Sequence, residues 1–192
     1  MSLRVFPLLP PSLQKLVMFG CFECNLGSAQ SHDNIVDSNM SNLTSLSMAN
    51  VTTLHPLSLY ALLESNKGNL KELNVNGCHG VDSASLSLLG KAGYLKEVVS
   101  LDAGNCNIDD RSVESLMAYV PRLRYLALER TKITGVGVKA AVLKPQDNLE
   151  HLFIHNCQDV SRDAVEFARA RGVKVDYYFP DVSRSGKRVR LE

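Results

Sequence analysis

A nine-residue pattern that recurs six times constrains this chain more than any other feature of its sequence. The pattern has apolar residues at its first, fourth and sixth positions and cysteine, valine or threonine at its ninth. It begins at residues 13, 43, 70, 98, 123 and 149, so its period is 25 to 30 residues. The six segments read LQKLVMFGC, LTSLSMANV, LKELNVNGC, VVSLDAGNC, LRYLALERT and LEHLFIHNC. A period of this length indicates a repeat protein in which each repeat is one supersecondary unit.

Each repeat has two halves with different hydrophobic periods. The alternation of apolar residues in the nine-residue half predicts a short strand with one buried face. The half that follows has helical spacing; in VDSASLSLLGKAG it places Val81, Leu86 and Leu89 inward, behind a cap at Asp82 or Ser83. Such a unit cannot bury its apolar face alone. We therefore predict an α/β solenoid, with a curved parallel sheet inside and helices outside.

Three further helices are predicted from the same spacing. Pro121 is expected to stop the second of the four helices, and Gly172 to provide a left-handed cap at the end of the last. Gly135 and Gly137 weaken the third helix. The inward residues are Ile108, Val113 and Leu116, then Ile133, Val138 and Ala141, and finally Val160, Val165 and Ala168.

The nine-residue pattern resembles the cysteine-containing leucine-rich repeat, LxxLxLxxC followed by a helix. This is the repeat type of the F-box/leucine-rich-repeat substrate receptors of SCF ubiquitin ligases. The resemblance covers Leu13 to about Tyr178 and implies about six repeats. The alternating segment at 172–179 is expected to close the stack as a C-terminal capping strand.

The expected domain organisation follows from these repeats. A leucine-rich-repeat domain is predicted over residues 1–180, with an irregular, mobile or disordered insertion at 22–41. A basic tail follows at 181–192, and it is open whether this tail is simply solvated or contacts a nuclear-import or other anionic partner. An F-box of the family needs a helical segment ahead of the repeats, and the short stretch before Leu13 lacks one. We expect a fragment of a longer protein or a chain that works without that adaptor.

Composition narrows the classes of partner. The formal net charge of +1 gives no electrostatic footprint for nucleic acid or an anionic membrane. No apolar run approaches the roughly 20 residues needed to span a bilayer, and the start of the chain is a poor signal peptide. The five cysteines form no disulfide framework. We expect an intracellular protein, nuclear or cytoplasmic, without a nucleic-acid or membrane partner.

No constellation of residues in the sequence indicates catalysis. Cys78 and Cys106 occupy equivalent places on neighbouring repeats, and Cys21 and Cys157 occupy the same place two repeats away on either side. Thiols on such a line cannot converge on one tetrahedral metal ion. We expect these four to be buried and structural, and Cys24 to be the exposed thiol. No nucleophile with a general base and no phosphate-binding loop is present. We predict no enzyme, cofactor, metal or small-molecule substrate.

The residues between the buried strand positions are expected to line the concave face. Aromatic side chains among charges, as in its C-terminal third, are typical of interface hot spots. His79 has no counterpart in other repeats and is predicted to be a turn residue. The predicted partner-binding residues are Glu72, Asn74, Asn76, Asp102, Tyr125, Glu129, His151, Phe153, His155 and Lys174.

Two functions fit this surface. The resemblance implies substrate recognition for an SCF-type ubiquitin ligase, with the chemistry carried out by other subunits. The alternative is a scaffold subunit of a stable intracellular complex, for repair, a checkpoint or organelle assembly, that uses the same repeat surface.

Overall fold

Seven short parallel strands form a single sheet in which each strand pairs with the next one along the chain. A computed structural model describes residue 10 and residues 12–20, 40–143 and 148–178. The strands are β1 (Lys15–Val17), β2 (Ser45–Ser47), β3 (Glu72–Asn74), β4 (Ser100–Asp102), β5 (Tyr125–Ala127), β6 (His151–Phe153) and β7 (Lys174–Asp176). A sheet that grows by one strand per repeat is a solenoid. The predicted α/β leucine-rich-repeat solenoid is confirmed.

The strands pair in the register that the nine-residue pattern predicts. The fourth position of each repeat lies opposite the fourth position of the next, and β7 continues the row. This row consists of Leu16, Leu46, Leu73, Leu101, Leu126, Leu152 and Val175. From Leu46 onward its side chains are buried, whereas the third and fifth positions face outward. A slip of one residue would exchange these two faces, so the hydrophobic pattern fixes the register.

Five helices follow strands β2 to β6 and pack side by side as an outer layer. They are α1 (Pro56–Asn66), α2 (Ser83–Lys91), α3 (Asp110–Leu116), α4 (Gly135–Val142) and α5 (Arg162–Ala170). Every helix-side residue that was predicted to point inward is buried. The buried side chains of the strands and helices form one continuous core between the two layers.

Side-chain caps define where the helices begin. Asp82, rather than Ser83, caps α2: its Oδ1 accepts from the Ser85 N–H at 2.9 Å, and Ser85 Oγ accepts from the Asp82 N–H at 2.8 Å. Asp109 and Ser112 repeat this capping box at α3. The reciprocal bonds satisfy two backbone donors that would otherwise lack partners.

The two predicted helix ends have different outcomes. Gly172 ends α5 as predicted, with φ +83° and its N–H donating to the Arg169 carbonyl at 2.9 Å. The prediction that Pro121 stops α3 is wrong, because α3 ends at Leu116. After the helix, N–H groups donate three residues back, as from Tyr119 to Leu116 at 2.8 Å. These tighter turns satisfy the last carbonyls before proline is reached.

Three of the four cysteines in the predicted ladder lie among the described residues, and all three are reduced and buried. Each thiol donates to a carbonyl at the sixth position of the preceding repeat. The bonds run from Cys78 to Met48 at 3.0 Å, from Cys106 to Val75 at 3.1 Å and from Cys157 to Leu128 at 3.0 Å. The cysteines therefore link repeats as neutral donors. Cys21 and Cys24 lie outside the described residues.

Burial keeps these thiols protonated. It raises the pKa of Cys78 to about 11 and that of Cys106 to about 12, and it also raises the pKa of Cys157. The thiolate is the reactive form of cysteine. A structural role for this ladder is therefore consistent with its chemistry as well as its position.

The eighth position of the pattern has a left-handed backbone in all six repeats, which the sequence pattern did not predict. These residues are Gly20, Asn50, Gly77, Asn105, Arg130 and Asn156, with φ between 54° and 72°. Glycine and asparagine tolerate this conformation, but arginine does so at a cost. At Gly77 an added Cβ would lie 2.2 Å from Asn50 Oδ1. The left-handed residue turns the chain out of the sheet toward its helix.

The predicted insertion and tail fall mostly outside the described residues. Of the insertion, residues 22–39 are not described, but Met40 is buried in the core and Ser41 lies in a turn. Asn66 at the end of α1 donates from Nδ2 to the carbonyls of Met40 at 2.9 Å and Leu43 at 2.7 Å. The end of the predicted insertion is thus part of the repeat structure. The basic tail at 181–192 is not described.

Replacing Arg130 by asparagine should raise the free energy of unfolding by about 1 kcal/mol, because asparagine adopts the left-handed conformation at lower cost. The matched control is Arg130→Ala, which removes the same side chain but keeps the strain. Denaturant unfolding of the two variants measures the difference. Equal stability of the two variants would show that φ at this position carries no cost.

Replacing Cys78 by serine should lower the free energy of unfolding by about 1–3 kcal/mol, because a more polar group enters a buried slot. In the unaltered protein at pH 8, the raised pKa and burial should make Cys78 react with a thiol reagent far more slowly than in urea-unfolded protein. Mass spectrometry of the labelled peptides measures both rates. Rapid labelling of native Cys78 would contradict a buried, structural role for this cysteine.

Candidate protein-interaction surface

The strand register arranges the outward side chains of the sheet in parallel rows. One row, at the third position, runs from Lys15 through Glu72 and Tyr125 to Lys174. The next row, at the fifth position, contains Asn74, Asp102 and Phe153. Because neighbouring strands lie about 4.8 Å apart, side chains in a row are direct neighbours. Rows of this kind create a continuous surface from separate repeats.

Three aromatic rings meet on strands β5 and β6, and we call Tyr125, His151 and Phe153 the aromatic patch. The ring centroids of Tyr125 and His151 are 5.4 Å apart, and those of His151 and Phe153 are 5.9 Å apart. Tyr125 is 38% exposed, although its neighbour in the strand, Leu126, is fully buried. The structure thus brings three of the predicted residues into one cluster on the outward face of the sheet, where Tyr125 is exposed and His151 and Phe153 are half-buried.

His155 extends this cluster toward the C-terminal end. Its ring stacks on that of Tyr178, with centroids 4.8 Å apart, and its Nε2 lies 3.8 Å from Glu129 Oε1. Its Nδ1 is buried and has no hydrogen-bond partner among the described residues. Glu129 and His155 therefore form a polar border beside the aromatic patch. Lys174 is exposed and lies opposite His151 in the strand pairing, so it adds a cation to the same border.

The predicted residues Asn74, Asn76 and Asp102 support the backbone of the sheet. Asn74 Oδ1 accepts from the N–H of Asn76 at 2.9 Å, and Asp102 Oδ1 accepts from the N–H of Gly104 at 3.0 Å. Asn76 Nδ2 also donates to Asp102 Oδ1 at 3.1 Å, which links two repeats. These half-buried side chains hold the turns after β3 and β4. Their polar atoms are only partly available to a partner.

The centre of the sheet is hollow because its side chains are small. A hollow of about 550 Å³ lies over the strands, and its lining extends from Lys15 and Val17 on β1, past Glu72, to Phe153 on β6. Serine and alanine side chains on β2, β4 and β5 form part of its floor. Glu72 is exposed and lies two strands from Tyr125, so the structure separates it from the aromatic patch.

The described residues contain neither a cluster of metal ligands nor a membrane-spanning helix. Within residues 12–20, 40–143 and 148–178, no group of three or more histidine, cysteine, aspartate or glutamate side chains could hold a metal ion. In the same ranges no helix has the length and apolar character required to cross a bilayer.

Two features of this surface were missed by sequence reasoning. The repeat pattern marks Tyr178 only as the end of the repeats, because its ring contact with His155 depends on the path of the chain after β7. Val17 and Phe19, at the other end of the sheet, are 57% and 70% exposed. The alternating pattern placed them on the concave side, but it could not show that so much of each side chain faces solvent.

Replacing both Tyr125 and Phe153 by alanine should lower the free energy of unfolding by about 1 kcal/mol or less, because these rings are largely outside the core. The matched control is Leu126→Ala in the same strand, which should cost about 2–5 kcal/mol because Leu126 is fully buried. Thermal or denaturant unfolding measures both. If the double variant loses as much stability as the control, the aromatic patch belongs to the core.

Comparison with known proteins gives distant structural likenesses. No family model matches the chain, and no curated protein matches it. It is similar to leiomodin-1 actin-binding site 2, with 12% identity, a TM-score of 0.45 and coverage of 80% of this chain and 81% of that one. It is similar to the yeast Rad7–Elc1 complex, with 13% identity, a TM-score of 0.36 and coverage of 82% and 67%. It is also similar to the TLR13–ssRNA13 complex, with 15% identity, a TM-score of 0.38 and coverage of 88% of this chain and 29% of that one. Likenesses this distant carry no argument about the residues of the surface.

Proposed function

We propose that the chain is a non-catalytic protein-interaction module that binds a protein partner through its concave face. The observation that carries the proposal is the aromatic patch, in which the ring of His151 contacts those of Tyr125 and Phe153 on the outward face of the sheet. Aromatic side chains are enriched at interface hot spots because they bury a large area with few rotatable bonds. Nothing in the fold requires rings at these positions, since β2 has serine at both of the equivalent positions.

Polar residues around the patch support the same proposal. Glu129, His155 and Lys174 border the rings and remain accessible in part. Interfaces commonly combine an apolar centre with a polar rim that sets orientation and specificity. We assign direct contact to the aromatic patch and its border, and a supporting role to Asn74, Asn76 and Asp102. Glu72 lies near the middle of the hollow, two strands from Tyr125.

Within this class we propose substrate recognition for an SCF-type ubiquitin ligase in the nucleus or cytoplasm. The support is the resemblance of the repeats to those of F-box/leucine-rich-repeat receptors. The alternative, a scaffold subunit of a stable intracellular complex, uses the same surface. In the first case the partner is bound transiently and then modified by other subunits. In the second case the partner is bound permanently and remains unmodified.

Photo-cross-linking in cells tests where the partner binds. A photoreactive phenylalanine placed at Tyr125 or Phe153 of the full-length protein should capture the partner. The same residue placed at Leu88 or Val136 should not, although these helix positions are 43% and 65% exposed. Equal capture from both sets of positions would contradict binding through the concave face.

The state of the captured partner separates the two proposed roles. A ligase substrate should carry ubiquitin only when the full-length protein is present, and should accumulate when the protein is depleted. A scaffold partner should co-purify in a fixed ratio without ubiquitin and should decrease on depletion. Mass spectrometry of the cross-linked species distinguishes these results.

A further inference from the structure

The hollow over the sheet is acidic. Its charged lining groups among the described residues are the carboxylates of Glu72, Asp102 and Glu129 and the single ammonium of Lys15. No lysine or arginine of the described residues forms an ion pair with these carboxylates. The side-chain partners of Asp102 and Glu129 are an amide and a histidine. The negative charge of the hollow is therefore largely uncompensated.

The carboxylates lie on one diagonal across the sheet. Glu72 is at the third position of its repeat, Asp102 is at the fifth position of the next, and Glu129 is at the seventh position of the repeat after that. Each step moves one strand across and two residues along, which corresponds to about 8 Å. Side chains two residues apart in an extended segment are separated by about 7 Å. An extended segment with several basic residues along one side can therefore bring cations to more than one of these carboxylates.

The chain itself carries such a segment beyond the described residues. SRSGKRVR, residues 183–190, contains Arg184, Lys187, Arg188 and Arg190 and no acidic residue. The positions of the three arginines differ by four and by two, so an extended conformation places them on one side. Arginine suits this surface because it pairs with carboxylates and stacks on aromatic rings.

The end of the described chain lies at this face. Tyr178 stacks on His155, which borders the aromatic patch, so the chain leaves the structure beside the hollow. From β7 to β3 is four strand spacings, or about 19 Å. Six extended residues beyond Tyr178 span up to about 20 Å, and twelve span up to about 40 Å. The chain from Tyr178 to residue 190 is therefore long enough to bring basic side chains to Glu72.

We propose that the basic segment 183–190 occupies the acidic hollow of its own chain. Its arginines pair with Glu129, Asp102 and Glu72 and lie against the rings of Tyr125 and Phe153. The occupied surface overlaps the aromatic patch, so the segment competes with any protein that binds there. This competition rests on the proposed function, whereas the contact within the chain does not.

Carbodiimide cross-linking of the full-length monomer tests the contact, because the reagent joins an amine to a carboxylate without a spacer. The R188K variant keeps the charge of the segment and places an amine on its arginine side. We expect cross-links from position 188 to Glu72, Asp102 or Glu129 within one chain, and none to Glu64 or Glu114 on the outer helices. At high salt the yield should fall, because screening weakens exposed ion pairs.

A charge-matched pair of variants provides the control. In the R188K background, the double change E72Q with E129Q should lower the yield of cross-links between position 188 and Asp102 about fivefold. This is the effect expected from the loss of two exposed ion pairs. The change E64Q with E114Q removes the same charge from the outer helices and should leave this yield unchanged. Equal yields of cross-links to Asp102 in the two double variants would overturn the proposal.

Other outcomes also decide the question. An absence of cross-links to the hollow overturns the proposal, and cross-links found only in covalent dimers assign the hollow to the tail of a second copy instead. If cross-links to the hollow fail while positions 125 and 153 still capture a partner, this inference falls and the proposed function stands. If the cross-links form but no partner is captured, the proposed function falls alone.

Discussion

The backbone ladder between repeats is the interaction on which the rest of the structure depends. At the sixth position of the pattern, the N–H of one repeat donates to the fifth-position carbonyl of the next, as from Val75 to Asp102 at 2.8 Å. At the eighth position, the N–H donates to the seventh-position carbonyl of the next, as from Asn50 to Asn76 at 2.7 Å. A strand of three residues has too few bonds to be stable alone, but each repeat bonds to both neighbours. The buried leucines and the cysteine donors add to a stack that this ladder aligns.

The same ladder produces the candidate surface. Alignment of the fourth position turns the third and fifth positions outward in every repeat, whatever side chains they carry. Small residues on β2, β4 and β5 leave a hollow, and the rings of β5 and β6 stand at its edge. The chemistry of the surface is therefore set by side chains that the fold does not constrain. Such freedom is what allows one repeat architecture to bind many different partners.

Sequence alone could predict the register and the inward helix residues, because both depend on periods that are visible in single repeats. It could not predict the end of α3, because turns after Leu116 satisfy the helix carbonyls before Pro121 is reached. Glycine and asparagine alternate at the eighth position of the first four repeats, which is typical of a left-handed backbone, but Arg130 interrupts this alternation. The contact between His155 and Tyr178 depends on the path of the chain after β7, which no periodicity encodes. The choice of partner-binding residues remains a prediction, since a repeat pattern marks the exposed positions but not their use.

Hydroxyl-radical footprinting of the full-length protein, free and in complex with its partner, tests the central claim most directly. The reagent labels aromatic and aliphatic side chains in proportion to their exposure, so it reports on the surface itself. The account predicts that complex formation protects Tyr125, His151 and Phe153 and leaves Leu88 and Val136 on the outer helices unchanged. Protection of the outer helices with unchanged labelling of the aromatic patch would contradict it.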